Sequence, residues 1–372
     1  MKHQTTRYGE IPFYKIGTFG NTADAFISKK LFLEYKTKYS FPKKGDILIS
    51  ASGTIGRAVI YDGKPAYFQD SNIVWIDNDE TLVKNDFLFY AYSNVKWNTE
   101  HTTILRLYND NFRNTLIPLP PLNEQSAIAN ILSGLDRYLY SLDALILKKE
   151  SVKKALSFEL LSQRKRLKGF NQDWQSVRLG DICYLKNGFS FKSDLFKNMG
   201  IPIIRISNIS SVDNCINTND LVFYDPILID NDYILKQGDL ILAMSGATTG
   251  KSCLYNLNKI AYLNQRVGVF RAKTSFCYDF LVQFVFSELF ISRLKLILTA
   301  GAQPNISSFD IEDFEILLPP LNEQSAIANI LSDLDNEITS LKNKKRQFEN
   351  IKKALNHDLM SAKIRVLKKS VL

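Results

Sequence analysis

The strongest pattern along the chain is a long apolar seam that occurs twice. Its positions recur in alternating steps of four and three, which is the 3.5-residue period of a coiled coil. The first seam comprises Ile128, Leu132, Leu135, Leu139, Leu142, Ile146, Lys149, Lys153, Leu156 and Leu160, and the second comprises Ile327, Leu331, Leu334, Ile338, Leu341, Lys345, Phe348, Lys352, Leu355 and Leu359. Asn123 and Asn322, just ahead of the seams, are plausible helix N-caps. The pattern predicts helices that run to about Leu167 and about Lys363, each on the order of 60 Å long.

Shorter apolar runs, separated by Gly, Asn and Asp, precede each seam and indicate strands and turns. The predicted strands are Ile47–Ile49, Ala58–Ile60 and Ile73–Ile76 before the first seam, and Ile203–Ile206, Leu240–Leu242 and Val267–Phe270 before the second. An aromatic-rich helix is expected after the strands in each case, at Asp86–Val95 and at Tyr278–Leu298. This mixture predicts an α+β fold.

The two halves of the chain follow one plan. Leu119–Ser133 and Leu318–Ser332 both read LPPLNEQSAIANILS, 199 positions apart. A weaker match joins Ile11–Ile16 to Ile201–Ile206, and between such landmarks the halves diverge. A period near 200 residues is far too long for a solenoid repeat, so it indicates duplication of a whole domain with its helix. The predicted segments are a first domain at 1–121, a first helix at 122–168, a second domain at 169–320 and a second helix at 321–372.

The connections between these segments predict how the helices run. The first helix leaves the first domain and ends where the second domain begins, and the second helix leaves the second domain. If the two seams meet, the second helix must run back along the first. We therefore expect an antiparallel coiled coil with one domain at each end and a pseudo-two-fold axis. The alternative is two separate amphipathic helices, each packed on its own domain.

Composition narrows the range of functions. Lys and Arg total 47 against 38 acidic residues, and such a basic excess suits a polyanionic partner, nucleic acid first. The four cysteines form no C-x-x-C pair, so neither a zinc site nor a disulfide framework is expected. The chain shows no signal-peptide pattern and no run of about 18 apolar residues. A cytoplasmic protein without a membrane partner is therefore expected.

The motifs that would indicate catalysis are incomplete. Gly246–Ser252 nearly spells a phosphate-binding P-loop, but it has one residue too few between its glycines. We interpret it as a tight turn between strands. Neither the Asn/Asp-Pro-Pro-aromatic loop of an adenine methyltransferase nor the carboxylate cluster of a metal-dependent nuclease is present. His3, His101 and His357 have no metal-ligand spacing. We expect no catalytic site, no metal and no cofactor.

The loops of both domains contain amide, hydroxyl and basic side chains, which read base edges and hold phosphates in protein–DNA complexes. Each alone is an ordinary solvated loop residue, so the prediction rests on the group. The candidate DNA contacts are Lys15, Ser52, Thr54, Arg57, Gln69, Asn72, Arg106, Asn109 and Asn111 in the first domain, and Arg205, Asn208, Ser245, Thr248, Thr249, Lys251, Asn264, Gln265, Arg266, Gln303 and Asn305 in the second.

The repeated entry into each helix carries a resemblance to a known family. Pro120–Gln125 and Pro319–Gln324 both read PPLNEQ, and Trp174–Ile182 reads WQSVRLGDI. Two variable halves that each end in this motif and a long helix resemble the specificity subunits of type I restriction-modification systems. The resemblance covers nearly the whole chain. It also implies that interfaces between the helices, or with partner subunits, involve Leu122, Glu124, Gln125, Ile128, Leu132, Leu135, Leu139, Leu142, Leu321, Glu323, Gln324, Ile327, Leu331, Leu334, Ile338 and Leu341.

The resemblance implies a mechanism without catalysis by this chain. Each variable domain, termed a target-recognition domain in the family, reads one half of a split target in double-stranded DNA, and the helices set the spacer. Two methyltransferase subunits dock on the helical region, and motor-nuclease subunits join for restriction. The alternatives are a DNA-binding specificity subunit that supports no modification, and a nucleotide-driven enzyme built on Gly246–Ser252.

The first copy departs from the second at its start. Ile11–Pro12 follows closely on Met1. In the second copy, the segment Trp174–Gly200 precedes the equivalent Ile201–Pro202. We therefore expect the first domain to lack the opening strand and loop that the second domain has.

Overall fold

The computed structural model describes residues 4–68, 72–97, 106–210, 214–299 and 305–367. Contacts between Cα atoms divide the chain into two units. Unit 1 comprises residues 1–144 and 343–372, and unit 2 comprises residues 145–342. Each unit therefore contains one domain together with segments of both long helices.

Unit 1 begins with an α+β domain. Its elements are β1 (Ile11–Tyr14), β2 (Ala25–Ile27), α1 (Lys29–Lys38), β3 (Ile47–Ser50), β4 (Ala58–Ile60), β5 (Tyr67–Phe68), β6 (Ile73–Ile76), α2 (Asn85–Ser93) and α3 (Asn109–Arg113), and then α4 (Leu122–Leu161) begins. One sheet has the order β2-β1-β5, with β1 parallel to β5. The other has the order β4-β3-β6 and is antiparallel. Every residue of β3 is buried, so this strand forms the centre of the domain.

Unit 2 has the same plan with additional strands. After α4 its elements are β7 (Gln175–Arg178), α5 (Leu179–Ile182), β8 (Cys183–Asn187), β9 (Ile201–Ile204), β10 (Val222–Tyr224), β11 (Ile234–Leu235), β12 (Leu240–Ala243), β13 (Ser252–Leu254), β14 (Ala261–Leu263), β15 (Val267–Ala272), α6 (Tyr278–Val285), α7 (Glu288–Thr299), α8 (Ser308–Glu312), β16 (Glu315–Leu318) and α9 (Leu321–Met360). The sheets have the orders β10-β9-β14-β11, β13-β12-β15-β8 and β16-β7. The buried central strand β12 corresponds to β3.

The two domains differ where the sequence copies differ. In unit 2, β8 extends the central sheet by pairing with β15. In the described part of unit 1, the equivalent strand β6 pairs only with β3. In unit 2, β16 pairs with β7, whereas the corresponding residues Leu116–Leu119 of unit 1 form no strand.

Within each unit the two long helices run antiparallel. In unit 1, Asp136 and Asp143 of α4 pair with Lys352 and Lys345 of α9, so numbers rise on one helix as they fall on the other. In unit 2, Lys149 and Lys153 of α4 pair with Glu337 and Asp335 of α9. Ile128, Leu132, Ile327 and Leu331 are buried seam residues. The predicted antiparallel pairing is thus present in both units.

Several predicted boundaries were wrong, and each has a local cause. Asn123 and Asn322 lie inside the helices, because the carbonyls of Pro121 and Pro320 accept the first helical hydrogen bonds. The helices end at Leu161 and Met360, shortly before Gln163 and Ala362 adopt left-handed φ angles of 61° and 54°.

Two further boundaries were wrong within the second domain. The predicted helix at Tyr278–Leu298 is two helices, interrupted at Ser287, whose hydroxyl donates to the Phe284 carbonyl at 2.6 Å. The predicted strand Ile203–Ile206 ends at Ile204, because Asn208 accepts the Arg205 N–H in a following 3₁₀ turn.

A helix that spans a bilayer must be both long and apolar. None of the helices in the described ranges is both long and apolar enough to cross a membrane.

Candidate nucleic-acid interface

Many of the sequence-predicted residues converge at one end of the central sheet in each domain. In unit 1 the strand β3 ends at Ser50, and the next residue, Ala51, makes two further backbone hydrogen bonds. Its N–H donates to the Asn72 carbonyl, and its carbonyl accepts the Leu107 N–H, both at 2.8 Å. Ser52 and Arg106 then form a bridge. These bonds bring Ser52, Asn72 and Arg106 together.

Unit 2 repeats this arrangement around Met244, which follows β12. The Met244 N–H donates to the Arg266 carbonyl, and its carbonyl accepts the Ile306 N–H, both at 2.9 Å. Ser245 and Asn305 form the bridge. The same backbone pattern therefore places Ser245, Arg266 and Asn305 where the first domain places Ser52, Asn72 and Arg106.

A tight glycine turn closes each sheet end. Gly53 and Gly56 have φ angles of 66° and 79°, and Gly246 and Gly250 have φ angles of 84° and 82°. This left-handed backbone is easily adopted by glycine alone. In unit 2 the turn leads into the antiparallel strand β13, whereas a P-loop leads from a strand into a helix. Gly246–Ser252 is therefore a hairpin turn, as the sequence predicted.

The side chains at these two sheet ends differ in their exposure to solvent and in the hydrogen bonds that they make within the protein. Thr54, Gln265, Arg266 and Asn305 are exposed. Arg57 is exposed as well, but its guanidinium donates to the Phe19 carbonyl at 2.9 Å. The half-buried side chains include Ser52, Asn72, Arg106, Ser245, Thr248, Thr249, Lys251 and Asn264. Each end thus combines a rigid backbone with basic, amide and hydroxyl groups near solvent.

Some half-buried members of these clusters shape the site. The Ser52 hydroxyl donates to Asn72 Oδ1 at 2.8 Å. Thr248 donates to the Ile206 carbonyl at 3.0 Å, and Thr249 donates to the Gly246 carbonyl at 2.5 Å. These bonds fix the turn and its neighbouring segments, so the side chains near solvent are presented from a defined backbone.

Other predicted residues make hydrogen bonds or ion pairs within their own domain. Asn208 is fully buried, and its amide donates to the carbonyls of Asn217 and Asp220 at 3.2 Å. Because DNA cannot reach a buried side chain, the prediction of a DNA contact was wrong for Asn208. Lys15 pairs with Asp24 at 2.8 Å, and Arg205 pairs with Asp220 at 3.0 Å.

The helix α3 carries two more of the predicted contacts. Asn111 accepts the Tyr108 N–H at 2.6 Å and so caps the helix, while Asn109 is exposed. Gln69 and Gln303 lie outside the described residues.

The repeated PPLNEQ motif has a structural role that sequence reasoning missed. Gln125 is buried. Its amide donates to the Leu82 and Pro120 carbonyls at 2.9 and 2.8 Å, and its oxygen accepts the Lys84 N–H at 2.8 Å. In unit 2, Gln324 likewise donates to the Pro319 carbonyl and accepts the Cys277 N–H. The motif glutamine therefore fastens the domain to the start of its helix.

The motif glutamates bind the segment that follows the far end of the opposite helix. In unit 2 both carboxylate oxygens of the buried Glu323 accept from Arg166, at 3.2 and 2.6 Å, and the Trp174 indole donates at 3.0 Å. In unit 1 the buried Glu124 accepts from Nε of Arg365 at 3.0 Å and from a second nitrogen of that guanidinium. These arginines, 199 positions apart like the glutamates, were detectable in the sequence as part of the repeat.

These contacts concern four of the residues expected at interfaces between the helices or with partner subunits. Glu124, Gln125, Glu323 and Gln324 are buried, so they serve interfaces inside each unit and are not open to a separate subunit. Leu122 and Leu321 are exposed at the helix starts. The hydrogen bonds and charge of Arg365 lower the pKa of Glu124, although burial acts in the opposite direction.

Comparisons with known proteins agree on one family. The model of the type I restriction modification DNA specificity domain matches residues 1–149 and 171–350. The MjaVIII specificity subunit of Methanocaldococcus jannaschii, a type I restriction enzyme subunit, is 30% identical over 369 residues, which cover 92% of this chain and 84% of that protein. A putative type I restriction enzyme specificity subunit of Haemophilus influenzae, S.HindORF215P, is 63% identical over 137 residues, which are 37% of this chain and 36% of that protein.

Solved structures show the same fold. The S subunit of a type I restriction-modification system from M. genitalium has a TM-score of 0.64, and the match covers 97% of this chain and 91% of that one. Its sequence is 17% identical, so the similarity concerns the fold.

Proposed function

Because this chain belongs to the family of the type I restriction modification DNA specificity domain, we propose that it is the sequence-recognition subunit of a type I restriction-modification complex. It carries no catalytic site in this proposal. Recognition rests on two domains that repeat one arrangement of DNA-binding groups. Modification and cleavage belong to partner subunits.

The observation that carries the proposal is the equivalence of the two sheet ends. Each presents amide, hydroxyl and basic groups from a backbone held by the same pair of hydrogen bonds, around Ala51 in one domain and Met244 in the other. The side chains differ between the domains, with Arg106 where the other has Asn305. Two equivalent sites with different side chains suit a bipartite target, because each half-site can then have its own base sequence.

The proposed division of labour follows from this equivalence. The first domain reads one half-site with Ser52, Thr54, Arg57, Asn72 and Arg106, and the second domain reads the other. The residues proposed for the second domain are Ser245, Thr248, Thr249, Lys251, Asn264, Gln265, Arg266 and Asn305. Exposed basic side chains hold phosphates or guanine edges, and amides suit adenine.

The remaining parts of the proposal concern partners. Double-stranded DNA is the ligand, two methyltransferase subunits dock on the helical region, and motor-nuclease subunits complete the restriction complex. The helices set the spacer between the half-sites. The cytoplasm is the proposed location. Among the described residues no cluster of His, Cys, Asp or Glu could hold a metal ion, and the proposal needs none in this chain.

A selection from a random double-stranded DNA library tests this function. The full chain should enrich two short sequences separated by a spacer of fixed length without base preference. Arg266→Ala should relax the bases of one half-site only, by about 1–3 kcal/mol per contacted base pair. Lys259→Ala is the matched control, because Lys259 is an exposed cation beyond β13, at the opposite end of the hairpin. Enrichment of no sequence, or of one uninterrupted sequence, would contradict the proposal.

A further inference from the structure

A polar contact network joins the first domain to both long helices in unit 1. The Tyr90 hydroxyl, on α2, donates to Asp136 of α4 at 2.7 Å. Asp136 also pairs with Lys352 of α9, and the Lys352 ammonium lies 5.7 Å from the centre of the Tyr90 ring. One turn further along α9, the Asn356 amide donates to the Ser93 hydroxyl at 2.9 Å, at the end of α2. We name Tyr90, Asp136 and Lys352 the first junction.

Unit 2 contains the equivalent network. The Gln283 amide, on α6, donates to Asp335 of α9 at 3.0 Å and to Ser332 at 3.3 Å. Asp335 accepts from the Lys153 ammonium of α4 at 2.5 Å. Asp136 and Asp335 are 199 positions apart, as are Lys153 and Lys352, so the duplication preserves the ion pair. We name Gln283, Asp335 and Lys153 the second junction.

Both junctions contain polar side chains at seam positions, which are apolar in most coiled coils. Lys153 and Lys352 occupy seam positions, and their side chains are 20% and 29% exposed. Gln283 is buried, and within the described ranges no donor lies within hydrogen-bond distance of its side-chain oxygen. Apolar residues at such sites often stabilise a protein as well or better. Polar groups with fixed partners, by contrast, specify one alignment of helices.

Each lysine belongs to one copy of the sequence and pairs with the aspartate that bonds the domain of the other copy. Lys352 belongs to the second copy of the sequence but lies against α2 of the first domain. Lys153 belongs to the first copy, and its partner Asp335 holds α6 of the second domain. Each junction therefore includes a lysine from the opposite copy of the sequence: Lys352 is 216 positions from Asp136, and Lys153 is 182 positions from Asp335.

We infer that Lys352 and Lys153 are positioning residues that act crosswise. Lys352 orients the first domain on DNA, and Lys153 orients the second. This inference rests on the proposed function, because orientation matters only if each domain reads its own half-site. Neither lysine touches DNA in this scheme. Each acts through Asp136 or Asp335 and the domain helix.

The chain supplies matched controls for this inference. Lys345 and Lys149 also occupy seam positions and also pair across the helices. Lys345 pairs with Asp143 at 2.6 Å, and Lys149 pairs with Glu337 at 2.8 Å. In the described structure no hydrogen bond or salt bridge joins either ion pair to a domain helix. Substituting these two lysines removes a seam ion pair and leaves both junctions intact.

The experiment is the library selection, with five variants of the full chain. Arg266→Ala first assigns one half-site to the second domain. Lys352→Met should then lower base selectivity about tenfold at the first domain's half-site and leave the other unchanged. Lys153→Met should do the reverse. Lys345→Met and Lys149→Met should leave both half-sites as in the wild type.

The outcomes separate the inference from the proposed function. If the wild type enriches no bipartite sequence, both fail. If it does, and Lys352→Met behaves like Lys345→Met or relaxes the second half-site, only the crosswise positioning is wrong. The conservative variant Lys352→Arg covers the case in which Lys352→Met does not fold, because it keeps a cation beside Asp136 and leaves Asp136 free to accept from Tyr90. It should retain the half-site that depends on the junction, and loss of that selectivity in a folded protein would overturn the inference.

Discussion

Glu124 and Glu323 show how a buried charge is accommodated at the start of each long helix. Each carboxylate lies in the first helical turn, where the positive end of the helix dipole favours an anion. Each also accepts two hydrogen bonds from one arginine, Arg365 or Arg166. Substituting either glutamate by an apolar residue should be costly, because the arginine then loses its partner.

Glu124→Gln should lower the free energy of unfolding by about 1–2 kcal/mol at neutral pH, because a charged hydrogen bond is lost while Arg365 stays partly solvated. Urea unfolding measures the change. Glu337→Gln is the control, because this glutamate pairs across the helices but is 45% exposed. Its loss should cost less than about 1 kcal/mol. Equal losses in the two variants would show that burial adds nothing to the Glu124 pair.

The same pair predicts a dependence on pH. The pKa of Glu124 lies below its ordinary value of 4.5 in the folded chain. Its stabilisation is therefore full above about pH 4.5 and is lost as the pH falls through the lowered pKa. Between pH 5 and pH 3 the wild type should lose more stability than Glu124→Gln. Parallel pH profiles of the two proteins would contradict the assignment.

Lys251 is the proposed phosphate contact at the sheet end of the second domain. It lies at the close of the turn Gly246–Lys251, where it is half-buried and its carbonyl accepts the Ala243 N–H. Lys251→Ala should weaken binding to all DNA sequences alike and should reduce the slope of log affinity against log salt by about one. Binding measured over a range of KCl concentrations decides this, with Lys259→Ala as the control. An unchanged slope with altered base preference would make Lys251 a base contact.

At the scale of elements, periodicity predicted the two long helices and the central strands of each domain, but not most of the shorter strands. The seams located both helices, and the strands at β3, β4, β6, β12 and β15 were found within a few residues. The errors arose where a single side chain or carbonyl ends an element, as Ser287 does between α6 and α7. The ends of helices and strands depend on local hydrogen bonds, which the spacing of apolar residues does not predict. The candidate site was predicted as loop residues, but their convergence depends on backbone pairing over long distances, as between Ala51 and Leu107.

The helices should act as a spacer whose length can be changed. Inserting one heptad after Ala144 and one after Lys342 preserves the seam and lengthens each helix by about 10 Å, at about 1.5 Å per residue. The selected spacer should then grow by about 3 base pairs, at about 3.4 Å each, with both half-sites unchanged. Inserting the heptad in α4 alone is the control and should break the match of the seams. An unchanged spacer in the double insertion would contradict the role of the helices.

At the scale of the whole molecule, the duplication is what the sequence revealed most reliably. The offset of 199 residues relates the PPLNEQ motifs, and it also relates Arg166 to Arg365, Asp136 to Asp335 and Lys153 to Lys352. Their pairing could not be predicted from the repeat alone, because each partner lies on the other helix. The apolar spacing predicted that the two seams meet. The structure shows which residues of the two helices face each other.

The central claim is that this chain directs modification to a bipartite DNA sequence. The most direct test is single-molecule sequencing of N6-methyladenine in the source cell with and without the gene. Removal of the gene should abolish methylation at one split motif and leave every other methylated motif in place. Restoring the gene should return it, and the Arg266→Ala variant should return it with one half-site relaxed. A methylome that is unchanged by removal of the gene would contradict the claim.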